Sequence, residues 1–164
     1  MKKKETYQLR VDIYPSIDEL DKQDQSLLRQ AIEISKQAYA PYSGFYVGAA
    51  LELDNGEIIT GTNQENVAYP SGICAERTAF YYAGTHFPSQ KIKRVAVSAH
   101  SKNFLVNYPV SPCGSCRQAM YEYENKQETP IRVIMMGESG EIRVMHSIAD
   151  LLPFTFNEKG LKKD

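Results

Sequence analysis

Three cysteines and one glutamate form two short motifs that can hold a metal ion. The first motif, C-A-E, runs from Cys74 to Glu76, and the second, P-C-G-S-C, contains Cys113 and Cys116; the chain has no other cysteine. Three thiolates fill three positions of a tetrahedral zinc site, and catalytic zinc sites keep the fourth position for water. Glu76 lies two residues from a candidate ligand, so its carboxylate can act on that water without binding the metal. The spacing therefore predicts metal-activated hydrolysis.

Two other interpretations of the cysteines are possible. They can be three small buried apolar residues, or they can belong to a closed structural zinc site. A closed site needs a fourth protein ligand, for which His86, His100 and His146 are the candidates, but none stands at ligand spacing from a cysteine.

Both cysteine motifs precede segments of helical composition. Cys74 is therefore predicted to begin one helix, and Cys113 and Cys116 to begin another. A helix N-terminus carries about half a positive charge, which favours thiolates. Three thiolates on Zn²⁺ leave a net negative charge, so we expect Arg77 to offset it by hydrogen bonding to sulfur. Arg117 is a second candidate for this role, and a solvent-exposed arginine is the alternative for Arg77.

Net charge, apolar stretches and the number of cysteines limit the kinds of protein that this chain can be. The 164 residues carry a formal net charge of −1, which gives no support to nucleic-acid binding. No signal peptide is expected, because no apolar h-region follows the positively charged start. No membrane-spanning segment is expected, because no apolar stretch approaches 18 residues. An odd number of cysteines fits a reducing compartment, so a cytoplasmic location is expected.

Periodicity predicts alternating helices and strands. Residues 1–15 are an extended lead-in, and 16–164 are expected to form a single domain. Ser16 and Glu19 have capping-box spacing and predict the start of a helix that ends before Pro41. The remaining elements are expected at 47–53 (strand), 58–60 (strand, after the turn Asn55-Gly56), 74–82 (helix), 95–99 (strand), 115–125 (helix), 131–136 (strand) and 142–145 (strand).

The last two strands are joined by about four residues, which is too short for a parallel crossover. The sheet is therefore predicted to be mixed, with antiparallel first and last pairs. Helices between the middle strands lie on its faces. The expected fold is a three-layer α/β/α domain with about five strands.

A series of motifs around these residues resembles one enzyme family. The motifs are Y-A-P-Y-S-G-F at 39–45, V-G-A-A at 47–50, N-Q-E-N at 63–66, C-A-E-R-T-A at 74–79, S-P-C-G-S-C-R-Q at 111–118 and L-L-P at 151–153. In this order they are similar to the cytidine deaminases, specifically the small homotetrameric nucleoside type. Nucleotide and polynucleotide deaminases generally have histidine in place of Cys74, so the cysteine indicates free nucleosides.

The resemblance implies a three-layer cytidine-deaminase-like fold and one Zn²⁺ per subunit, held by the three cysteines. It implies hydrolysis of cytidine and 2′-deoxycytidine to the uridines and ammonia, a reaction of pyrimidine salvage. Zinc would activate water, and Glu76 would move protons between that water, the ring nitrogen and the leaving amine.

The resemblance also implies the substrate contacts. Asn63 and Glu65 would bind the ribose hydroxyls, although a turn residue and an exposed loop charge are the simpler alternatives. Phe45 would pack against the base, unless it is a core residue. The backbone near Ala75 would read the pyrimidine edge. Tyr69 would contact the ribose or a neighbouring subunit.

The family further implies a homotetramer with sites at subunit interfaces. Phe156 would reach into a neighbouring site, with Phe154 as the alternative. The lead-in is longer than is usual in the family, and it can be a disordered tail or an interface strap.

Two other functions share parts of this pattern. A deaminase of a cytosine-nucleoside antibiotic would carry the same motifs. A non-catalytic zinc-stabilised RNA-binding module would need a basic surface and a fourth protein ligand, and the sequence offers neither.

Overall fold

Six strands form one mixed sheet that separates helix α1 from helices α2 and α3. The computed structural model describes residues 2–157. The elements in chain order are β1 (Val11–Tyr14), α1 (Lys22–Ser35), β2 (Phe45–Leu53), β3 (Ile58–Thr62), α2 (Ala75–His86), β4 (Ile92–Ser101), α3 (Gly114–Gln127), β5 (Arg132–Met135) and β6 (Ile142–Met145). The strand order across the sheet is β1-β6-β5-β4-β2-β3. No helix in residues 2–157 has the length and apolar character needed to cross a membrane.

The predicted pairing pattern is confirmed. Strands β2 and β3 form an antiparallel hairpin, and so do β5 and β6, while β4 and β5 are parallel and joined through α3. The turn between β2 and β3 contains Gly56, whose φ of 87° lies in the left-handed region. Glycine tolerates this conformation at no steric cost, which explains the strength of the Asn-Gly signal.

The sheet has six strands, not the expected five, because part of the lead-in joins it. Val11 pairs with Met145, and Tyr14 pairs with Ile142, in antiparallel register. Exposed apolar side chains at every second position follow the period of a strand: Tyr7, Leu9, Val11 and Ile13. The regular strand covers only four residues, so it gives a weak signal.

Helix α1 begins later than expected. Ser16 makes no capping hydrogen bond, and a short 3₁₀ turn follows it. The helix itself begins at Lys22, where the Asp21 carboxylate accepts hydrogen bonds from the amides of Gln23 (3.0 Å) and Asp24 (2.8 Å). The sequence offers two candidate N-cap residues five positions apart. The Asp21 side chain accepts hydrogen bonds from two helix amides, whereas the Ser16 side chain accepts none.

The core has two halves, one on each face of the sheet. On one face, α1 packs against the inner strands through Leu27, Leu28, Ala31, Ala50, Ala96 and Ile134. On the other, α2 and α3 pack through Ala79, Phe80, Met120, Leu51, Val95 and Val133. All of these side chains are fully or almost fully buried, which confirms the three-layer arrangement.

Helix α2 lies very close to β3. A Cβ atom added to Gly61 would lie 2.5 Å from the carbonyl oxygen of Ala75 and 2.6 Å from the amide nitrogen of Ala79. Only glycine leaves room for this contact. Because Gly61 has no side chain, the first turn of α2 can lie directly against β3. This contact determines how far Cys74 and Glu76 lie from the sheet.

We expect Gly61→Ala to destabilise the protein by about 1–3 kcal/mol, because the methyl group would push the backbone of α2 away from β3. Urea unfolding measures the change. Thr60→Ala, at the exposed neighbouring position of the same strand, is the control and should change stability by no more than about 0.5 kcal/mol. Equal stability of the two variants would contradict the close contact.

Candidate metal centre and substrate cavity

The three cysteine sulfurs converge at the N-termini of two helices. Cys74 is the N-cap of α2, and Cys113 is the N-cap of α3. The three Sγ atoms all lie within 4.8 Å of one another, and those of Cys113 and Cys116 are 3.5 Å apart. Residues far apart in sequence are thus brought to one point by the packing of both helices on the same face of the sheet.

The electrostatics of this cluster fit a cation. A hydrogen bond from the Cys116 thiol, helped by Arg77 and Cys113, lowers the pKa of Cys74 to about 5. Donating that hydrogen bond, together with burial, raises the pKa of Cys116. The Cys116 thiol thus keeps its proton and donates it in a hydrogen bond to the Cys74 sulfur. A cation in its place allows all three to be thiolates, and thiolate ligands favour soft metals such as zinc.

The three histidines have other partners. The ring of His86 stacks on Tyr82, with centroids 3.9 Å apart. His100 lies 3.1 Å from the hydroxyl of Ser35, and His146 lies 2.7 Å from a carboxylate oxygen of Asp12. Within residues 2–157 the cysteines form the only cluster of three metal-ligating side chains. The structure therefore gives no support to a closed site with a histidine ligand.

Arg77 lies against the cysteine cluster. Its Nη2 is 3.9 Å from the Sγ of Cys74, and its Nε is buried without a hydrogen-bond partner among the described residues. The hydrogen bond to Cys74 raises the pKa of the guanidinium further. Arg77 is therefore the positive group beside the sulfurs.

The prediction for Arg117 as a second sulfur partner is wrong. Its Nε donates to the carbonyl of Pro112 (2.8 Å), and its Nη1 donates to the carbonyl of Leu151 (2.9 Å). The guanidinium is instead used on two backbone carbonyls, one of them 34 positions away in the chain, which local spacing cannot reveal.

Glu76 lies in the first turn of α2 and is 4% exposed. Burial raises the pKa of its carboxyl group, and the nearby Cys74 thiolate adds to the effect; the Glu76 amide, the Cys116 thiol and Arg77 oppose it. A buried carboxyl beside the cysteine sulfurs can hold or release a proton next to a bound metal.

A cavity of about 520 Å³ opens beside Cys74. Its walls include Asn63, Glu65, Tyr69 and Arg77, which are four residues singled out from the sequence. The volume falls within the roughly 300–1,000 Å³ typical of small-molecule sites. The structure thus places predicted polar contacts and one cysteine around a single space.

Asn63 and Glu65 shape the wall of this cavity through hydrogen bonds of their own. Asn63 accepts from the Val47 amide (2.7 Å) and donates to the Phe45 carbonyl (2.9 Å). The Glu65 carboxylate accepts from the amides of residues 42 and 43 and from the Ser43 hydroxyl. That hydroxyl is the main cause of the lowered pKa of Glu65. Both side chains are therefore held in place by the start of β2 and the loop before it.

Other predicted contacts lie outside the cavity lining. Phe45 is half-buried and stacks on Phe104, with ring centroids 6.3 Å apart. Ala75, the first residue of α2, is fully buried. Phe154 and Phe156 are 78% and 68% exposed on the surface of this chain. The single chain therefore does not bring Phe156 to the site.

Sequence reasoning missed the partners that hold the predicted residues. The bond from Ser43 to Glu65 spans 22 positions, and no local period indicates it. The Y-S-G turn at 42–44 supplied a weak signal, because serine in a turn often bonds to nearby polar groups.

A family model described as the cytidine and deoxycytidylate deaminase zinc-binding region matches residues 21–130. The chain belongs to the cytidine and deoxycytidylate deaminase family. The match contains all three cysteines, Glu76 and the walls of the cavity. A zinc-dependent deaminase site therefore accounts for the cluster.

Named relatives in this deaminase family extend over most of the chain. A cytidine deaminase from Halalkalibacterium halodurans is 36% identical over 137 residues, covering 84% of this chain and 96% of the relative. A cytidine deaminase from Sporosarcina psychrophila is 39% identical over 137 residues, covering 84% and 93%.

Solved deaminase structures have the same fold. The crystal structure of cytidine deaminase from Burkholderia pseudomallei has a TM-score of 0.69 and 36% identity, covering 80% of this chain and 97% of that one. The structure of cytidine deaminase from Mycobacterium tuberculosis has a TM-score of 0.58 and 27% identity, covering 85% and 99%.

We expect Arg77→Ala to weaken zinc binding about 10–100-fold, because it removes the positive group beside Cys74. The rate at which a chromophoric chelator removes zinc measures the effect. Arg29→Ala, an exposed arginine paired with Asp18 on the surface, is the control. Zinc release as slow as in the unmodified protein would contradict this role of Arg77.

Proposed function

We propose that the protein catalyses zinc-dependent hydrolytic deamination of cytidine and 2′-deoxycytidine, giving uridine and 2′-deoxyuridine with release of ammonia. The observation that carries the proposal is the buried carboxyl of Glu76 beside three convergent cysteine sulfurs, one of which, that of Cys74, belongs to the wall of an open cavity. Relatives named cytidine deaminase, aligned over nearly their full length, support the substrate. The reaction belongs to pyrimidine salvage.

Cys74, Cys113 and Cys116 hold one Zn²⁺ per subunit in this proposal. When bound, zinc supplies the Lewis acid that acidifies a water molecule. The cysteines would supply three ligands, one fewer than zinc takes, so that this water could bind. Arg77 lowers the cost of gathering three negative sulfurs around one ion.

Glu76 carries the proton transfers. It accepts a proton from the water that adds to C4 of the cytosine ring and delivers it to the adjacent ring nitrogen, N3. It then transfers the second water proton to the exocyclic amine, which leaves C4 as ammonia while the carbonyl forms. The raised pKa of this carboxyl suits both tasks, since an efficient proton carrier has a pKa near the working pH.

The cavity walls orient the nucleoside. Asn63 and Glu65 offer an amide and a carboxylate to the ribose hydroxyls, and their bonds to β2 and the preceding loop fix them in advance. Tyr69, which also lines the cavity, contacts the ribose or a neighbouring subunit. Phe45 packs against the base from the start of β2, and the backbone near Ala75 reads the pyrimidine edge.

We expect Glu76→Gln to lower turnover by a factor of 10² to 10⁴ or more, because the amide cannot carry the proton. Zinc content should stay at that of the unmodified protein. Ultraviolet absorbance follows conversion of cytidine to uridine, and removal of zinc by a chelator should abolish it until zinc is restored. Glu57→Gln, an exposed position in the β2–β3 hairpin, is the control. Turnover of Glu76→Gln close to normal would refute the assignment.

The working enzyme is a cytoplasmic homotetramer in this proposal, with Phe156 of one subunit completing the site of another. Large exposed aromatic side chains support the interfaces: Tyr42, Tyr69, Tyr81, Tyr82, Phe104 and Phe156 are 46–76% exposed. Two of them, Tyr42 and Tyr69, contact each other edge-to-face with ring centroids 6.0 Å apart, and contiguous exposed apolar patches mark interaction surfaces. The unpaired cysteines suit a reducing compartment.

We expect two impaired variants to complement each other if sites are shared between subunits. After Glu76→Gln and Phe156→Ala subunits are dissociated and mixed, random assortment gives roughly one site in four with both native residues. Cytidine turnover should then rise above that of either variant alone, and sedimentation should give the mass of four chains. No gain on mixing would contradict the shared site.

A further inference from the structure

The chain beyond β6 is held by polar side chains of α3. The buried carboxylate of Glu124 accepts hydrogen bonds from the amides of Ile148 (2.8 Å) and Ala149 (3.1 Å) and from the hydroxyl of Ser147 (2.6 Å). A carboxylate with several donors is firmly satisfied. Glu124 therefore fixes the point from which the C-terminal segment, residues 150–157, departs.

Arg117 joins this segment to the metal-binding loop. Its guanidinium spans the carbonyl of Pro112, which directly precedes Cys113, and the carbonyl of Leu151. Two parts of the chain that have no sequence proximity are thus bonded to one rigid planar group.

Gln118 holds the far end of the same segment. Its Nε2 donates to the carbonyl of Phe156 (2.9 Å), and its Oε1 accepts from the Phe156 amide (3.3 Å). Both polar ends of the side chain are used on the backbone of one residue, and the ring of Phe156 is left exposed. Phe154, in contrast, packs edge-to-face on Tyr7 at 5.3 Å between centroids.

We infer that Gln118 and Arg117 are positioning residues for substrate binding, and that they act by fixing the C-terminal segment so that Phe156 is presented outward. The inference rests on the proposed function, because it assigns Phe156 and not Phe154 to the neighbouring site. Holding the segment in advance removes part of the ordering cost that binding would otherwise carry.

The location of these hydrogen bonds allows an effect on substrate binding to be distinguished from an effect on global stability. The bonds from Gln118 to Phe156 lie at the exposed surface, where single substitutions change global stability little. Loss of the Gln118 side chain should therefore affect the affinity for substrate and leave the zinc centre intact. Arg117 also bonds to the carbonyl of Pro112, beside Cys113. Loss of its side chain should therefore affect both the affinity for substrate and the zinc centre.

The test is Gln118→Ala, for which the KM for cytidine should rise roughly tenfold, as expected for the loss of two hydrogen bonds. Zinc content and kcat should stay within about twofold. Glu122→Ala is the matched control, because Glu122 lies one turn further along α3 and is exposed. Arg117→Ala should raise KM and also speed the release of zinc to a chelator. An unchanged KM for Gln118→Ala would overturn the inference.

A double-mutant comparison tests whether Gln118 acts through Phe156. In a Phe156→Ala background, Gln118→Ala should cause no further loss of kcat/KM, because the ring that it positions is gone. Phe154→Ala should leave the effect of Gln118→Ala intact. Additive losses in the Phe156→Ala background would overturn the inference.

Digestion with chymotrypsin separates this inference from the proposed function. Gln118→Ala should speed cleavage after Phe156 several-fold relative to the unmodified protein and to Glu122→Ala. If the unmodified protein fails to deaminate cytidine, the proposed function fails, and cleavage still shows whether Gln118 holds the segment. Equal cleavage rates would overturn the inference even in an active enzyme.

Discussion

A metal site at the cysteines requires three sulfurs within 4.8 Å of one another. Thiolates repel each other, so such a cluster forms only where positive charge is supplied and the backbone holds the sulfurs in place. Two helix N-termini and Arg77 supply that charge around the metal position. Because Cys74 and Cys113 are the caps of α2 and α3, the relative placement of these two helices defines the site.

The sheet fixes this placement by close backbone contact. The glycine at position 61 allows the first turn of α2 to rest directly on β3. Helix α3 is held near its other end by Glu124, which accepts a hydrogen bond from the amide of Ile131, the residue before β5 (2.8 Å). The ligand geometry is thus determined by a backbone contact under the first turn of α2 and by a hydrogen bond near the far end of α3.

The sequence predicted the chemistry of the site better than it predicted the hydrogen bonds and elements that hold the site residues in place. Cysteine and glutamate at fixed spacing carry a specific chemical meaning, and alternating apolar residues predict the inner strands. Long-range polar contacts leave no local pattern, which is why the bond from Arg117 to Leu151 could not be foreseen. Strand β1 and the start of α1 were missed for another reason: a four-residue strand is short, and Ser16 and Asp21 are both plausible caps.

Strand β1 has a consequence for how the molecule behaves in solution. It lies at the margin of the sheet beside β6, whose Ile142 and Val144 are fully buried. Without β1, the apolar strand β6 would be an edge strand, and its unpaired N–H and C=O groups could pair with another extended chain. Strand β1 is only four residues long and is flanked and interrupted by charge at Arg10 and Asp12. Short, charged outer strands discourage edge-to-edge aggregation, so this addition helps keep a concentrated enzyme from precipitating.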